Sequence, residues 1–282
     1  MKKSQQKYIM VHHLHDNKSF TKIRGSISLL KFNIIVKKLH KQKYIFTFDD
    51  GYKSQIVLAS KILNKFGLKG IFFLNTFFLD NKINLHELSK FFIEKYFKTY
   101  DQFLNNFLKL YEKKLQFNKK KIDKLKRKFP FYSDSEIKIR FLRNYNIEVY
   151  NKILIQMFIS KKFKYKKFAK KLFPDRNDIL KLSQKHTIGL HTHTHPYNFN
   201  ELNYKQQMTE IRTNKKILEK IIKKKINLFS YPIGNYNKFS FKVIKNLKIQ
   251  KAFINSKKSK KKINKFLIPR LNINNIRYAN KS

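Results

Sequence analysis

Between Tyr44 and Asn75 the chain reads apolar, then helical, then apolar again, and this alternation limits the possible folds more than any other stretch. Tyr44, Ile45 and Phe46 are aromatic or β-branched and suit a buried strand. Gln55–Phe66 carries apolar residues at helical spacing and stops at Gly67, where a C-cap glycine would end a helix. Gly70–Asn75 (GIFFLN) is a second, largely apolar strand. Strand, helix and strand within about 30 residues predict a βαβ unit and therefore a parallel sheet.

The same rhythm extends to both sides. Lys7–His12 predicts a first strand, with His12, His13 and His15 at its end, and Gly25–Ser28 a turn that caps a helix over Leu29–Lys41. Farther on, a short helix over Asp178–Lys185 precedes a strand over Thr187–Leu190. A long amphipathic helix over Leu202–Lys224 leads to a strand over Ile226–Tyr231. A helix over Phe239–Leu247, strands over Lys251–Asn255 and Phe266–Ile273, and a lysine-rich loop at Lys257–Lys262 complete the pattern. From about Asp80 to Phe173 the character changes to helical patterns rich in Lys, Phe and Leu, with a basic run at Lys119–Lys128. We expect one domain over 1–282 with a helical insertion at about 80–175 that lids or flanks an α/β core.

At 282 residues the chain is long enough for one large α/β domain. With no cysteine, disulfides and thiolate chemistry are excluded. Met1-Lys2-Lys3 resembles the start of a signal peptide, but Ser4–Lys7 is polar and the apolar run Tyr8–Val11 is too short to follow it. No stretch approaches the roughly 20 apolar residues of a transmembrane helix. A soluble, cytoplasmic protein is the expectation. The formal charge of +48 suits an anionic partner such as nucleic acid, a membrane surface or an acidic glycan. It equally suits an A/T-rich genome, which enriches Lys, Ile, Asn, Phe and Tyr together. The lysines are spread along the chain, so no specific nucleic acid is expected.

Two clusters carry chemistry. Phe46–Gly51 (FTFDDG) places Asp49 and Asp50 at the C-terminal end of a strand, where α/β folds gather functional groups. Adjacent carboxylates repel unless their roles differ, for instance one on a metal and one free as a base. Asp-Asp-Gly is also a common surface turn, and the stretch alone does not choose. His191, His193 and His195 then lie within five residues, after an apolar strand and before Pro196. Two imidazoles and a carboxylate make a donor set for a divalent metal that leaves a position open.

FTFDDG followed by HTHTHP at His191–Pro196 resembles the polysaccharide deacetylases of carbohydrate esterase family four, which carry T-F-D-D-G and later H-S/T-x-x-H. YIMVHH at the start, FSYPIGNYN at Phe229–Asn237 and IPRLNI at Ile268–Ile273 resemble further family segments. The resemblance covers most of the chain outside roughly Asp80–Asp175. It implies a deformed (β/α) barrel of about seven parallel strands and a divalent metal, usually zinc. Carried over by position, Asp50, His191 and His195 would be the metal ligands and Asp49 the general base. Tyr231, Pro232 and Gly234 would line the substrate pocket, with a backbone N–H there facing the oxyanion. Thr192 and Thr194 would orient the imidazoles, and His193 has no assigned role.

The chain also departs from the family. Asn227–Ser230 lacks the arginine that orients the base in many members, and Arg270 is the substitute we expect. No histidine follows His195 to serve as the usual late general acid, so His12 or His13 would have to donate that proton. The implied function is metal-dependent hydrolysis of an N-acyl, most simply acetyl, group from an amino sugar of a glycan or glycan precursor, a C–N bond other than a peptide bond. A carbohydrate-binding relative without turnover, and a basic nucleic-acid-binding protein, are the alternatives.

Overall fold

A computed structural model describes residues 6–16, 18–80, 82–111, 116–255 and 264–276. Strand β1 (Lys7–Val11) is followed by two short strands, β2 (Leu14–His15) and β3 (Ile27–Ser28), which pair in parallel, Leu14 with Ile27. Neither was expected from sequence, because two-residue strands carry no period to detect. Helix α1 (Leu29–Leu39) starts where Ser28 Oγ accepts the Lys31 N–H. Then come β4 (Tyr44–Phe48), α2 (Ser60–Lys65) and β5 (Ile71–Leu74). The helix expected over Gln55–Phe66 is not uniform: Gln55–Ala59 is π-helical before α2 begins. Such bulges frequently mark functional sites, and this one turns the Gln55 amide back to the carbonyls of His12 and Asp49.

By chain contacts the structure divides into two units, one of Met1–Ile83 with Lys170–Ser282, the other of Asn84–Ala169. The second is helical among its described residues: α3 (Leu85–Tyr96), α4 (Tyr100–Lys109), α5 (Lys119–Lys128), α6 (Asp134–Tyr145), α7 (Ile147–Ser160) and the start of α8 (Tyr165–Leu172). Its interior is aromatic, with Phe92 edge-on to Phe158 at 4.6 Å. The basic run forms α5 and buries only Ile122. Among the described residues no helix is long and apolar enough to cross a membrane.

The first unit continues with α9 (Arg176–Lys185), β6 (Thr187–Leu190), α10 (Tyr204–Ile222), β7 (Leu228–Ser230), α11 (Lys238–Asn246), β8 (Lys251–Asn255) and β9 (Ile268–Asn272). Helix α9 starts two residues early because Asp175 and Asp178 form a reciprocal cap. The lysine-rich loop at 257–262 lies outside the described residues. Seven strands close a barrel in the order β1-β4-β5-β6-β7-β8-β9, with every pairing parallel. The expected seven-stranded (β/α) barrel is the fold.

Strand alternation sorts the core into two layers. Tyr8, Ile71, Phe73, Phe253 and Ile268 meet in one cluster, the lumen. Ile9, Phe48, Phe72, Leu190 and Phe229 point the other way, against Phe32 and Ile35 of α1, Leu182 of α9 and Ile211 of α10. Gly189 is required here, because a Cβ would lie 2.3 Å from the Phe73 ring that fills the lumen beside it. All seven strands run the same way, so their C-terminal ends form one rim. There β4 delivers Asp49 and Asp50, β6 delivers His191, and β7 ends at Ser230.

Candidate active site

Asp50, His191 and His195 converge, each offering one donor atom, with these atoms all within 4.8 Å of one another and every residue buried. The Nε2 atoms of His191 and His195 each lie 3.3 Å from Asp50 Oδ1. Bond lengths of about 2.0–2.2 Å place neighbouring ligands of a tetrahedral zinc roughly 3.3–3.5 Å apart, a spacing that both imidazoles keep from Asp50. The tautomer agrees for His191. Its Nδ1 lies 2.8 Å from the Ser230 carbonyl, which can only accept, so Nδ1 carries the hydrogen and Nε2 the lone pair. Burial pushes the His191 pKa down, but the Asp49 and Asp50 carboxylates outweigh it and hold it above the ordinary value. The same carboxylates favour a cation on the Nε2 side.

Local backbone brings these donors together under strain. Asp50, Thr192, His195 and Ile233 have φ of +75°, +66°, +56° and +57°, four of the seven non-glycine residues described in the left-handed region. Each costs of order 1–3 kcal/mol, and for branched Thr and Ile the conformation is uncommon. Helix α10 supplies the compensation. Glu210 accepts the N–H groups of His193 and Thr194 at 3.0 and 2.8 Å and the Thr194 hydroxyl at 2.7 Å. One turn on, Asn214 Oδ1 accepts the His191 N–H at 3.1 Å, and its Nδ2 donates to the Leu74 carbonyl at 3.0 Å. The expectation for the threonines needs correcting. Thr192 Oγ1 donates to the His191 carbonyl and accepts the His195 N–H, and Thr194 engages Glu210. Both brace the loop's backbone instead of holding an imidazole. His193 points to Thr76 Oγ1 at 2.9 Å and Asp80 at 3.4 Å, outside the three-donor group.

Asp49 stands beside the cluster in a different setting. Arg270 on β9 grips it with both fork nitrogens, Nη1 to Oδ1 at 2.7 Å and Nη2 to Oδ2 at 2.6 Å. The same guanidinium donates to Thr47 Oγ1 at 3.2 Å and Ser230 Oγ at 2.8 Å, and Ser230 Oγ lies 3.2 Å from Asp49 Oδ2. Arg270 is 2% exposed and Asp49 3%. Burial pushes the Asp49 carboxyl up, but Arg270, His191 and His12 outweigh it and hold the pKa below the ordinary value. Asp49 is thus a charged, dry carboxylate held at fixed orientation.

His12 is half-buried at the end of β1, and its charge bears on Asp49. His13 is committed elsewhere, with Nε2 at 2.8 Å from the Thr21 carbonyl and Nδ1 at 3.1 Å from Ser54 Oγ. Of the two histidines expected to share one role, only His12 faces the rim. The Tyr231 ring is buried among Phe199, Phe229 and Tyr236 on the helix side, so the tyrosine presents its backbone, not its phenol, to the loop. Pro232 is buried and Gly234 has φ +73°, with a Cβ there meeting Asn255 N at 3.0 Å. The amides of Tyr231, Gly234 and Asn235 are bonded to Phe253, Tyr231 and Pro232 carbonyls.

Sequence reasoning missed Ser230, Glu210 and Asn214. A signal existed for the last: Asn214 interrupts the apolar stripe of Met208, Ile211, Leu218 and Ile222 on α10, and a polar residue there must have a buried partner.

Residues 150–252 match the model of the polysaccharide deacetylase family, a span that includes the histidine cluster and Tyr231–Gly234. No curated protein is significantly similar to the chain in sequence. Among solved structures, the chain resembles the Streptococcus pyogenes deacetylase PplD, at 12% identity and a TM-score of 0.57, over 94% of this chain and 91% of that one. It likewise resembles the de-N-acetylase of Aggregatibacter actinomycetemcomitans, at 11% identity and a TM-score of 0.55, over 94% and 93%. IcaB from Ammonifex degensii matches at 12% identity and a TM-score of 0.55, over 95% and 92%. Residues 150–252 thus carry the sequence pattern of the polysaccharide deacetylase family, as the resemblance led us to expect, and the chain has the barrel fold of these deacetylases.

Proposed function

We propose that this chain is a metal-dependent hydrolase that removes an N-acyl group, most simply acetyl, from an amino sugar of a glycan or glycan precursor. The observation that carries the reading is the pairing of a three-donor cluster with a separate, Arg-held carboxylate at one barrel rim. Asp50, His191 and His195 would hold the metal, and a set of two imidazoles and one carboxylate suits zinc. A divalent ion so held supplies a Lewis acid for the acyl carbonyl and lowers the pKa of water.

The remaining work belongs to the chain. Asp49 takes a proton from water as the water oxygen adds to the acyl carbon. Its Arg270 fork leaves it further lone pairs for that purpose and keeps it ionised at neutral pH. In the Tyr231–Asn235 loop, Pro232 has no N–H and the flanking amides are committed, so Ile233 is the donor we assign to the oxyanion. His12 gives the departing nitrogen its proton, completing cleavage to a carboxylic acid and an amine.

Acetate release from a panel of N-acetylated glycans and nucleotide-sugars tests this. The samples are zinc-loaded wild type, a chelator-stripped sample and Asp49→Asn. Zinc-dependent release that Asp49→Asn abolishes while zinc stays bound is the expected result. Zinc bound with no release on any substrate would favour a carbohydrate-binding role, and failure to bind a divalent metal would sink the site assignment.

A further inference from the structure

One polar side chain at the rim has no work in the mechanism above. Asn75 follows directly on β5, is 1% exposed, and its Oδ1 has no hydrogen-bond partner among the described residues. Such an atom forfeits a hydrogen bond it had in water, at a cost a fold tolerates where a ligand supplies the missing donor. Register fixes where it points. Phe73 faces the lumen, 5.4 Å from the Arg270 guanidinium, and Leu74 faces the helices, so Asn75 returns to the lumen side one pleat nearer the rim. Leu74 pairs with Leu190, which sets Asn75 beside His191 on the neighbouring strand. The backbone on both sides is pinned: the Leu74 carbonyl receives the His191 N–H and Asn214 Nδ2, and Thr76 N donates to the His193 carbonyl. A rigid, buried carboxamide with an open acceptor thus stands next to a proposed metal ligand.

We propose that Asn75 is a specificity-determining residue whose Oδ1 accepts the N–H of the substrate's acylamino group, so that the site prefers amides to the corresponding esters. This rests on the deacylase reading above. An amide whose carbonyl oxygen is turned to the three-donor cluster carries its N–H on the opposite side of the acyl carbon. That N–H loses its water on entering the site and needs an acceptor. The lone pairs that Arg270 leaves on Asp49 are used by the attacking water, and the Ser230 carbonyl is taken by His191. An ester oxygen has no hydrogen to offer and would leave Asn75 Oδ1 unmatched.

The test compares zinc-loaded wild type, Asn75→Leu and Asn75→Asp on a short N-acetylglucosamine oligomer and on the matching 2-O-acetyl glucose oligomer. Asn75→Leu should lower kcat/KM on the amide about tenfold, the worth of one neutral hydrogen bond, and leave the ester within about threefold. Asn75→Asp, which keeps an acceptor oxygen, should regain most of the loss on the amide. The melting temperature of Asn75→Leu should stay level or rise, because a side chain with an unpaired buried oxygen is replaced by an apolar group of similar size. Equal loss on both substrates, no recovery by Asn75→Asp, or a marked drop in melting temperature would overturn the proposal and leave the deacylase reading standing. Wild type that cleaves neither substrate would bring down both.

Discussion

Replacing Arg270 by Met isolates the most heavily bonded group in the site. Arg270 and Asp49 are both almost fully buried and share two hydrogen bonds of 2.6 and 2.7 Å. Without the guanidinium, the Asp49 carboxylate keeps, among the described residues, only the hydrogen bond of the Ser230 hydroxyl at 3.2 Å. Removing one partner of a buried pair leaves an uncompensated charge and costs about 3–5 kcal/mol. Urea unfolding followed by circular dichroism should therefore show Arg270→Met losing about that much at pH 7. Arg270→Met combined with Asp49→Asn, which removes both charges, should recover about 2 kcal/mol of it. Arg270→Lys should recover less than full stability, because an ammonium cannot fork onto both oxygens. The sign of the pH dependence is also set. In the native chain the depressed Asp49 pKa contributes stability above the ordinary carboxylate range, which is lost as pH falls through its folded value. In Arg270→Met burial dominates and raises that pKa, so the variant should gain stability as pH drops from 7 towards 5. A cost for Arg270→Met below about 1 kcal/mol, or a double variant no more stable than the single, would refute the buried charge pair.

Two further predictions concern groups outside the donor set. Glu210→Ala strips the carboxylate that accepts the Thr194 N–H and hydroxyl and shares the His193 N–H with the Glu210 carbonyl, while touching none of the three donor atoms; calorimetric titration with zinc should show affinity reduced about 10- to 100-fold. His186 accepts the Gly70 N–H at 3.2 Å through Nδ1, and burial, with Lys185 and Lys69, pushes its pKa from 6.5 down to about 4. Its neutral form belongs to the fold, so the stability it adds is complete above pH 6.5 and declines as pH falls towards 4. Thermal unfolding should lose about 1–2 kcal/mol between pH 7 and 4.5, with a flatter profile in His186→Asn.

Much of this molecule is legible in its residue order. Strands over Thr187–Leu190 and Lys251–Asn255 appear at the expected residues, because short apolar runs bounded by polar turns and alternating with amphipathic helices are a local signal. Asp49, Asp50, His191 and His195 can be picked out because carboxylates and imidazoles are crowded just past apolar strands. The small parallel pair of Leu14–His15 with Ile27–Ser28 and the π-helical turn at Gln55–Ala59 are not legible, since neither is set by periodicity.

The sequence alone determined the parallel βα alternation and the carboxylates and imidazoles crowded after two of its strands, since both follow from side-chain type and near-neighbour spacing. Only the tertiary structure decided which strand ends meet. Arg270 stands 221 residues from Asp49, and Ser230 181. Closure of β9 onto β1 brings the last strand's arginine round to the fourth strand's carboxylate. The same closure leaves Tyr231 facing the helices and Ser230 the lumen, a choice of one pleat that strand pairing makes.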